Sequence, residues 1–208
     1  RLSRISVISY MKNILSKFGP FLGLLLVVGL FSIDSEVREY FLSFANFKIV
    51  LTQTVIVAIG ALGMTLIIIS GGIDLSVGSL VALSAVAAAV FIRDAGDGTE
   101  TGAGLMIVGC CVGMGICALG GVFNGVMITR LGIPPFITTL AMMLMARGLA
   151  RRLSDELSIQ ALPASFTWIG GAATFGIPNP VILMVVLYGV AHVVMSRTVF
   201  GRYVYAVG

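Results

Sequence analysis

The sequence predicts an all-α protein: a polytopic bundle of transmembrane helices with about six spans and a short re-entrant or interfacial segment. Of its 208 residues, 58% are hydrophobic and only 11% are charged, whereas soluble domains carry about 25% charged residues. Its uncharged stretches approach or exceed the roughly 20 residues that a helix needs to cross a hydrocarbon core. Runs such as "LGLLLVVGLF" lack the apolar–polar alternation of barrel strands, which favours helices.

The predicted spans lie near 18–34, 49–69, 77–92, 103–124, 133–149 and 180–196. The third and fifth are short, so we expect them to lean on neighbouring helices. Segment 157–179 is uncharged but rich in Pro, Gly, Ser and Thr, which is a poor composition for a spanning helix. We predict that it is an outer loop with a re-entrant or interfacial piece, where Trp168 anchors at the membrane surface.

Basic residues set the expected orientation. Four of them precede the first apolar run, and no small-residue cleavage site follows that run. We therefore predict a cytoplasmic basic tail over 1–17 and an uncleaved first helix, within a single membrane domain covering 1–208. In this orientation "RGLARRL" (147–153) falls outside, so its arginines snorkel, face protein, or belong to a partial span that turns back.

Composition also excludes several classes of function. The net charge of +4 comes largely from the tail, and no basic patch interleaves with aromatic residues, so a nucleic-acid partner is not expected. The three cysteines share one apolar run without a Cys-x-x-Cys, and there is one histidine. We interpret the cysteines as small packing residues and predict no metal site and no catalytic residues.

Small residues recur four positions apart in the fourth span. Gly109 with Gly113, and Gly121 with Gly125, fit the pattern that lets transmembrane helices approach closely. The pattern predicts a tight bundle.

Asp74, within "GGIDLSVGS" (71–79), is the only charged residue between Lys48 and Arg93. A charge near the bilayer centre costs at least about 2.5–3.5 kcal/mol, so Asp74 is expected at an interface, in a watered cavity or beside a partner. Gly71 and Gly72 should end the second helix. Two interpretations stay open: Asp74 and Ser76 cap the third helix on a tight turn, or they form a gate or part of a permeation path.

Two further motifs carry polar residues within apolar surroundings. In "FNGVMITRLGIPPFITTLAMMLMARGLA" (123–150), Asn124 lies in the fourth span, Pro135 suits a first helical position, and Thr138 can bond across helices. "SRTVFGRYVYAVG" (196–208) places Arg and Tyr residues at the expected cytoplasmic face, either as interfacial anchors or as a docking site for a cytosolic partner.

Three blocks, 63–89, 124–150 and 200–208, together resemble the permease subunits of bacterial ABC importers of the ribose/xylose/arabinose type. The resemblance implies an inner-membrane permease that imports a sugar by alternating access. It also implies several partners: a second permease subunit, identical or different, a cytosolic ATP-binding subunit, a periplasmic sugar-binding protein, and membrane lipid. A chain without a Gly-x-x-x-x-Gly-Lys-[Ser/Thr] motif should bind no ATP itself, so no cofactor is expected.

Within such a mechanism, our hypothesis for the residues that line or gate the path is Gly71, Gly72, Asp74, Ser76, Asn124 and Thr138. The resemblance itself adds three further residues. Gly201, Arg202 and Tyr203 match the approach to a cytoplasmic loop that rides on the ATPase. Relative to the family, the chain is expected to be truncated at its C-terminus and trimmed at its start.

Two other functions compete with import by an ABC permease. An ion-coupled secondary transporter or channel would use Asp74 as a proton or cation site. An intramembrane enzyme would need paired catalytic groups on facing helices, and the chain offers one intramembrane carboxylate and one histidine. The sequence does not specify the sugar.

Overall fold

The computed structural model describes residues 18–19, 21–96, 102–159 and 162–208, so the predicted basic tail (1–17) lies outside the described residues. The helices are α1 (Phe21–Phe31), α2 (Ser35–Phe41), α3 (Phe44–Ile69), α4 (Val77–Ala95), α5 (Ala103–Leu131), α6 (Pro135–Leu153), α7 (Ala164–Gly171), α8 (Asn179–Arg197) and α9 (Val199–Val207). Between α7 and α8, β1 (Ala173–Thr174) pairs antiparallel with β2 (Ile177–Pro178). The predicted helical class is therefore confirmed.

Within the described residues, four helices are long and apolar enough to cross a membrane: α3, α4, α5 and α8. The protein is thus a multi-pass membrane protein. The first predicted span appears as α1, an apolar helix that is shorter than those four. The fifth appears as α6, whose last turn carries Arg151 and Arg152. The count of about six spans accordingly stays a prediction.

The chain divides into two compact units, Arg1–Leu51 and Thr52–Gly208. In the first unit, Asp34 caps α2 by accepting hydrogen bonds from the backbone N–H groups of Glu36 and Val37, as a carboxylate at an N-cap does. The rings of Phe31 and Phe41 stack with centroids 5.3 Å apart. The ring contact links α1 to α2. The single membrane domain over 1–208 stays a prediction.

The core of the second unit lies where α4, α5 and α6 meet. Leu80 and Leu83 of α4 pack against Ala146 and Ala150 of α6, with Cys117 of α5 beside them. The side chains from α6 are small, which lets the helices approach closely. Cys117 is a free thiol, and its place in this cluster agrees with a packing role.

Glycines of α5 allow its close approach to α4. A Cβ added at Gly109 would come within 2.5 Å of Ile92, and one at Gly113 within 2.8 Å of the Ser84 carbonyl oxygen. The predicted tight packing is confirmed for this pair. Gly121 and Gly125 make no such contact; instead Gly120 receives the Leu80 side chain.

The turn between α5 and α6 follows its sequence signals. Gly132 adopts a left-handed conformation with φ of +66° and donates its N–H to the Met127 carbonyl, which ends α5. Pro135 then opens α6, where its missing N–H has no helical partner to lose. This turn fixes where α6 starts relative to α5.

Replacing Gly113 with Ala should destabilise the protein. The new methyl group would press on a backbone carbonyl of α4 that cannot rotate away, and overpacking of this kind costs about 1–3 kcal/mol. We expect a lower midpoint in thermal unfolding of the purified protein in detergent. The matched control is Gly115→Ala on the same helix, where nothing lies within 4 Å; equal midpoints for the two variants would contradict the packing argument.

Candidate functional site

Helix α3 ends in a glycine motif that satisfies its last carbonyls. Gly71 has φ of +75°, a left-handed conformation that costs other residues strain. Its N–H donates to the Ile68 carbonyl at 3.0 Å, and the N–H of Gly72 donates to the Ile67 carbonyl at 2.9 Å, which is the Schellman pattern. The predicted break is therefore confirmed, with Gly71 supplying the conformation and Gly72 a donor.

Past this break, Asp74, Ser76 and Asn124 form one hydrogen-bond chain. Asp74 Oδ1 accepts from the backbone N–H of Ser76 at 2.7 Å and from its hydroxyl at 2.6 Å. Asn124 Nδ2 of α5 donates to Ser76 Oγ at 3.0 Å. Ser76 is fully buried, Asn124 is buried and Asp74 is half-buried. Three of the predicted site residues, two of them 48 positions apart in sequence, thus come into direct contact.

Ser76 is the N-cap residue of α4 by position, but its hydroxyl makes no capping bond to that helix. Asp74 bonds the N–H of Ser76 itself rather than an N–H within α4. Ser76 therefore occupies the predicted N-cap position, but its side chain does not make the predicted capping hydrogen bond. Its hydroxyl is engaged by Asp74 and Asn124 instead.

The chemistry of the three groups fixes the direction of the chain. A carboxylate only accepts hydrogen bonds, so the Ser76 hydroxyl donates to Asp74 and must itself accept from Asn124. The amide of Asn124 therefore turns its nitrogen toward Ser76. Its Oδ1 atom is left buried without a donor among the described residues.

A cleft of about 430 Å³ opens beside this chain. We call it the junction cleft; it is lined by residues within 67–74 and 121–129, together with Pro135, Thr139 and Val207. Its walls come from the end of α3, the broken segment, α5, α6 and α9. Four predicted site residues line it, namely Gly71, Gly72, Asp74 and Asn124, and Ser76 lies directly behind them.

Thr138 does not line the junction cleft, whereas its neighbour Thr139 does. Thr138 is buried on α6 and its hydroxyl has no partner among the described residues. Thr139 donates to the Pro135 carbonyl at 2.8 Å. Our sequence reasoning did not select Thr139, Ser70 or Thr129, all of which line the cleft; the signal that they share is a hydroxyl near a helix end.

Helix α9 holds the last three predicted residues. Gly201 is buried against the backbone of Met195, where an added Cβ would overlap it, while Arg202 and Tyr203 are exposed. The C-terminal end of α9 reaches the junction cleft through Val207. Beyond it, Gly208 lies so close to the Ile69 carbonyl that a Cβ would overlap that as well.

A family model described as the branched-chain amino acid transport system / permease component matches residues 46–208. The chain belongs to this family. The residues that match this permease family include the whole junction cleft and all of α4 to α9. No solved structure matches the chain.

Several curated relatives of the chain are named as sugar permeases. The chain is 37% identical over 198 residues to the ribose import permease protein RbsC of Bacillus subtilis, covering 94% of this chain and 58% of that protein. It is 31% identical to the D-allose transport system permease protein AlsC of Escherichia coli (92% and 56%) and 33% identical to the fructose import permease protein FrcC of Rhizobium meliloti (89% and 52%). The resemblance to sugar import permeases is confirmed, and the chain spans a little over half the length of these relatives.

Replacing Ser76 with Ala should separate the start of α4 from α5. The substitution leaves the buried Asn124 amide without its acceptor, and an unsatisfied buried group costs about 1–3 kcal/mol. We expect a lower thermal midpoint and faster hydrogen exchange in 70–78. Ser84→Ala is the control, because that exposed hydroxyl bonds only the Val81 carbonyl of its own helix. If the two variants have equal thermal midpoints and equal exchange rates, the hydrogen bonds of Ser76 do not stabilise the junction.

Proposed function

We propose that the protein is a transmembrane permease subunit of an ATP-binding-cassette importer. It translocates a sugar across the bacterial inner membrane by alternating access, which a partner ATPase drives. The protein itself performs no catalysis, since ATP is bound and hydrolysed by that partner. The observation that carries the proposal is the junction cleft, where helices long enough to span a membrane are interrupted by a polar segment. The sugar-permease relatives support the substrate class.

Broken helices suit a solute path for a physical reason. Irregular backbone at membrane depth is tolerated only where it is buried in protein or lines a cavity, and transporters place binding sites at such breaks. Gly71, Gly72, Asp74 and Asn124 line a cleft at this break, and Ser76 holds two of them in place. We assign these five residues to the translocation path or its gate, and Thr138 to the supporting wall on α6.

Helix α9 is suited to transmit movement from the ATPase to that gate. The middle of α9 carries the exposed Arg202 and Tyr203, which we assign to the approach to the ATP-binding subunit. Its C-terminal end supplies Val207 to the cleft wall. Displacing α9 along its axis therefore changes the shape of the cleft, because Gly208 already touches the end of α3.

The assembly that this function requires is larger than the chain. A second permease subunit, identical or different, completes the passage, and a periplasmic binding protein delivers the sugar. We place the N-terminus in the cytoplasm, with 1–208 as one membrane domain and α1 and α6 as the remaining two of about six spans. Surrounding helices and lipid then cover the exposed apolar faces of α3, α5 and α8.

Uptake should require ATP and the binding protein and ignore ion gradients. The test reconstitutes the full-length permease with its partner ATPase and a periplasmic binding protein, in vesicles loaded with ATP, and measures entry of labelled ribose, allose and fructose. Replacing Asp74 with Ala should reduce uptake at least about tenfold. Uptake that collapses with ionophores and persists without ATP would instead assign the protein to ion-coupled transporters.

Replacing Gly201 with Ala should uncouple the ATPase from transport. The added methyl group overlaps the backbone of Met195, so α9 must move off α8. In the reconstituted assembly, we expect ATP hydrolysis to continue while sugar entry per ATP falls severalfold. Gly189→Ala in α8, with open space around it, should behave as wild type. A wild-type ratio of sugar entry to ATP hydrolysis in Gly201→Ala would contradict this role for α9.

A further inference from the structure

The hydroxyl groups of the junction cleft have no hydrogen atoms to offer an occupant. The side chains of Ser70, Thr129 and Thr139 each donate their single hydrogen to a backbone carbonyl three or four residues earlier, at distances of 2.8, 2.7 and 2.8 Å. Only oxygen lone pairs are left to face the cleft. These three lining residues belong to three parts of the cleft wall: the end of α3, α5 and α6.

The two other polar side chains add acceptors of greater strength. Asn124 is only 4% exposed, and its Oδ1 atom has no donor among the described residues. The hydrogen-bond chain to Ser76 prevents the amide from turning its nitrogen into the cleft, since Ser76 must accept that N–H. Asp74 offers a carboxylate, which accepts only.

No positive side chain among the described residues forms an ion pair with Asp74. The cleft has no Lys, Arg or His among its described lining residues, and the ion pair found in the described part of the chain joins Arg93 to Asp94. The N-terminal end of α4 carries about +0.5 of an elementary charge, but the C-terminal end of α3 carries about −0.5 beside it. These two helix ends offset each other, and the C-terminal end of α9 at the cleft wall is negative as well, so the negative charge of Asp74 is not compensated.

We propose that the junction cleft binds a monovalent alkali-metal cation between the Asp74 carboxylate and Asn124 Oδ1. One carboxylate with neutral oxygens matches the charge of a single monovalent ion. Sites for divalent ions gather more carboxylates, and no three His, Cys, Asp or Glu residues come together in the part of the chain that was described. The inference goes beyond ATP-driven transport, which needs no coupled ion.

The size of the cleft agrees with a partly hydrated ion. Its volume of about 430 Å³ exceeds that of a bare alkali cation many times over, and each water takes up about 30 Å³. Two strong protein ligands and the hydroxyl lone pairs leave room for several waters to complete the coordination shell. Acceptor-lined breaks between half-helices hold Na⁺ in this manner in other transporters.

The experiment measures cation binding directly on the purified full-length permease in detergent. Thermal midpoints are recorded in sodium, potassium and choline chloride at equal ionic strength, together with binding of radioactive ²²Na⁺. We expect a saturable rise of several degrees with one or both alkali ions and none with choline, because ligand binding to the folded state alone raises the midpoint.

Three substitutions locate the site. Asp74→Asn should abolish the rise, and Asn124→Ala should weaken the affinity about tenfold or more. Asn124→Asp adds a second carboxylate and should shift the preference toward Ca²⁺ or Mg²⁺. The control is Asp94→Asn, which removes an exposed carboxylate far from the cleft and should leave the affinity unchanged. The comparison of the unsubstituted protein in the three salts keeps the proposal falsifiable even where a substituted protein fails to fold.

Other outcomes overturn the proposal. Equal midpoints in all three salts, or an equal loss of affinity in Asp74→Asn and Asp94→Asn, would mean that no specific site exists. A midpoint that follows pH but not the cation would assign Asp74 to a proton. ATP-dependent sugar uptake by a protein whose midpoint is equal in all three salts would leave the transport function standing while this inference fails; cation binding without ATP-dependent uptake would do the reverse.

Discussion

The structure of the α3–α4 junction depends on the hydrogen bond between Asn124 and Ser76. Among the described residues, this side-chain hydrogen bond joins the broken segment to a different helix. Asn124 Nδ2 lies 3.0 Å from Ser76 Oγ, and both side chains are buried. The other bonds at the break, those of Gly71, Gly72 and Asp74, are local. Local bonds shape the turn, whereas the bond between Asn124 and Ser76 also ties that turn to α5.

This bond forms because α4 and α5 pack at close range along one line. Gly109, Gly113, Gly120 and Asn124 are spaced by four, seven and four residues, so they lie on a single face of α5. The three glycines set the distance between the helices, and at that distance an amide side chain reaches the serine. Without close packing, the buried amide would have no acceptor and would cost more than it contributes.

The features that could be predicted from the sequence are those set by neighbouring residues in the chain. The position of each long helix followed from charge-free stretches, the end of α3 from paired glycines, and the start of α6 from Pro135. The contacts between helices could not be predicted, because they depend on how the helices pack. Asn124 could be selected as a polar residue in an apolar run, but its contact with Ser76 depends on the register of two helices. Thr138 and Thr139 are adjacent, and only the rotation of α6 determines which of them lines the cleft.

The shape of the junction cleft links its chemistry to helix α9. Val207 forms part of its wall and Gly208 touches the end of α3, so a movement of α9 changes the volume available to whatever Asp74 and Asn124 bind. Linkage is reciprocal: if displacement of α9 alters the affinity of an occupant by some factor, binding of that occupant biases the position of α9 by the same factor. If α9 moves as we propose, the charge of Asp74 that attracts a ligand also makes the position of α9 depend on whether that ligand is bound.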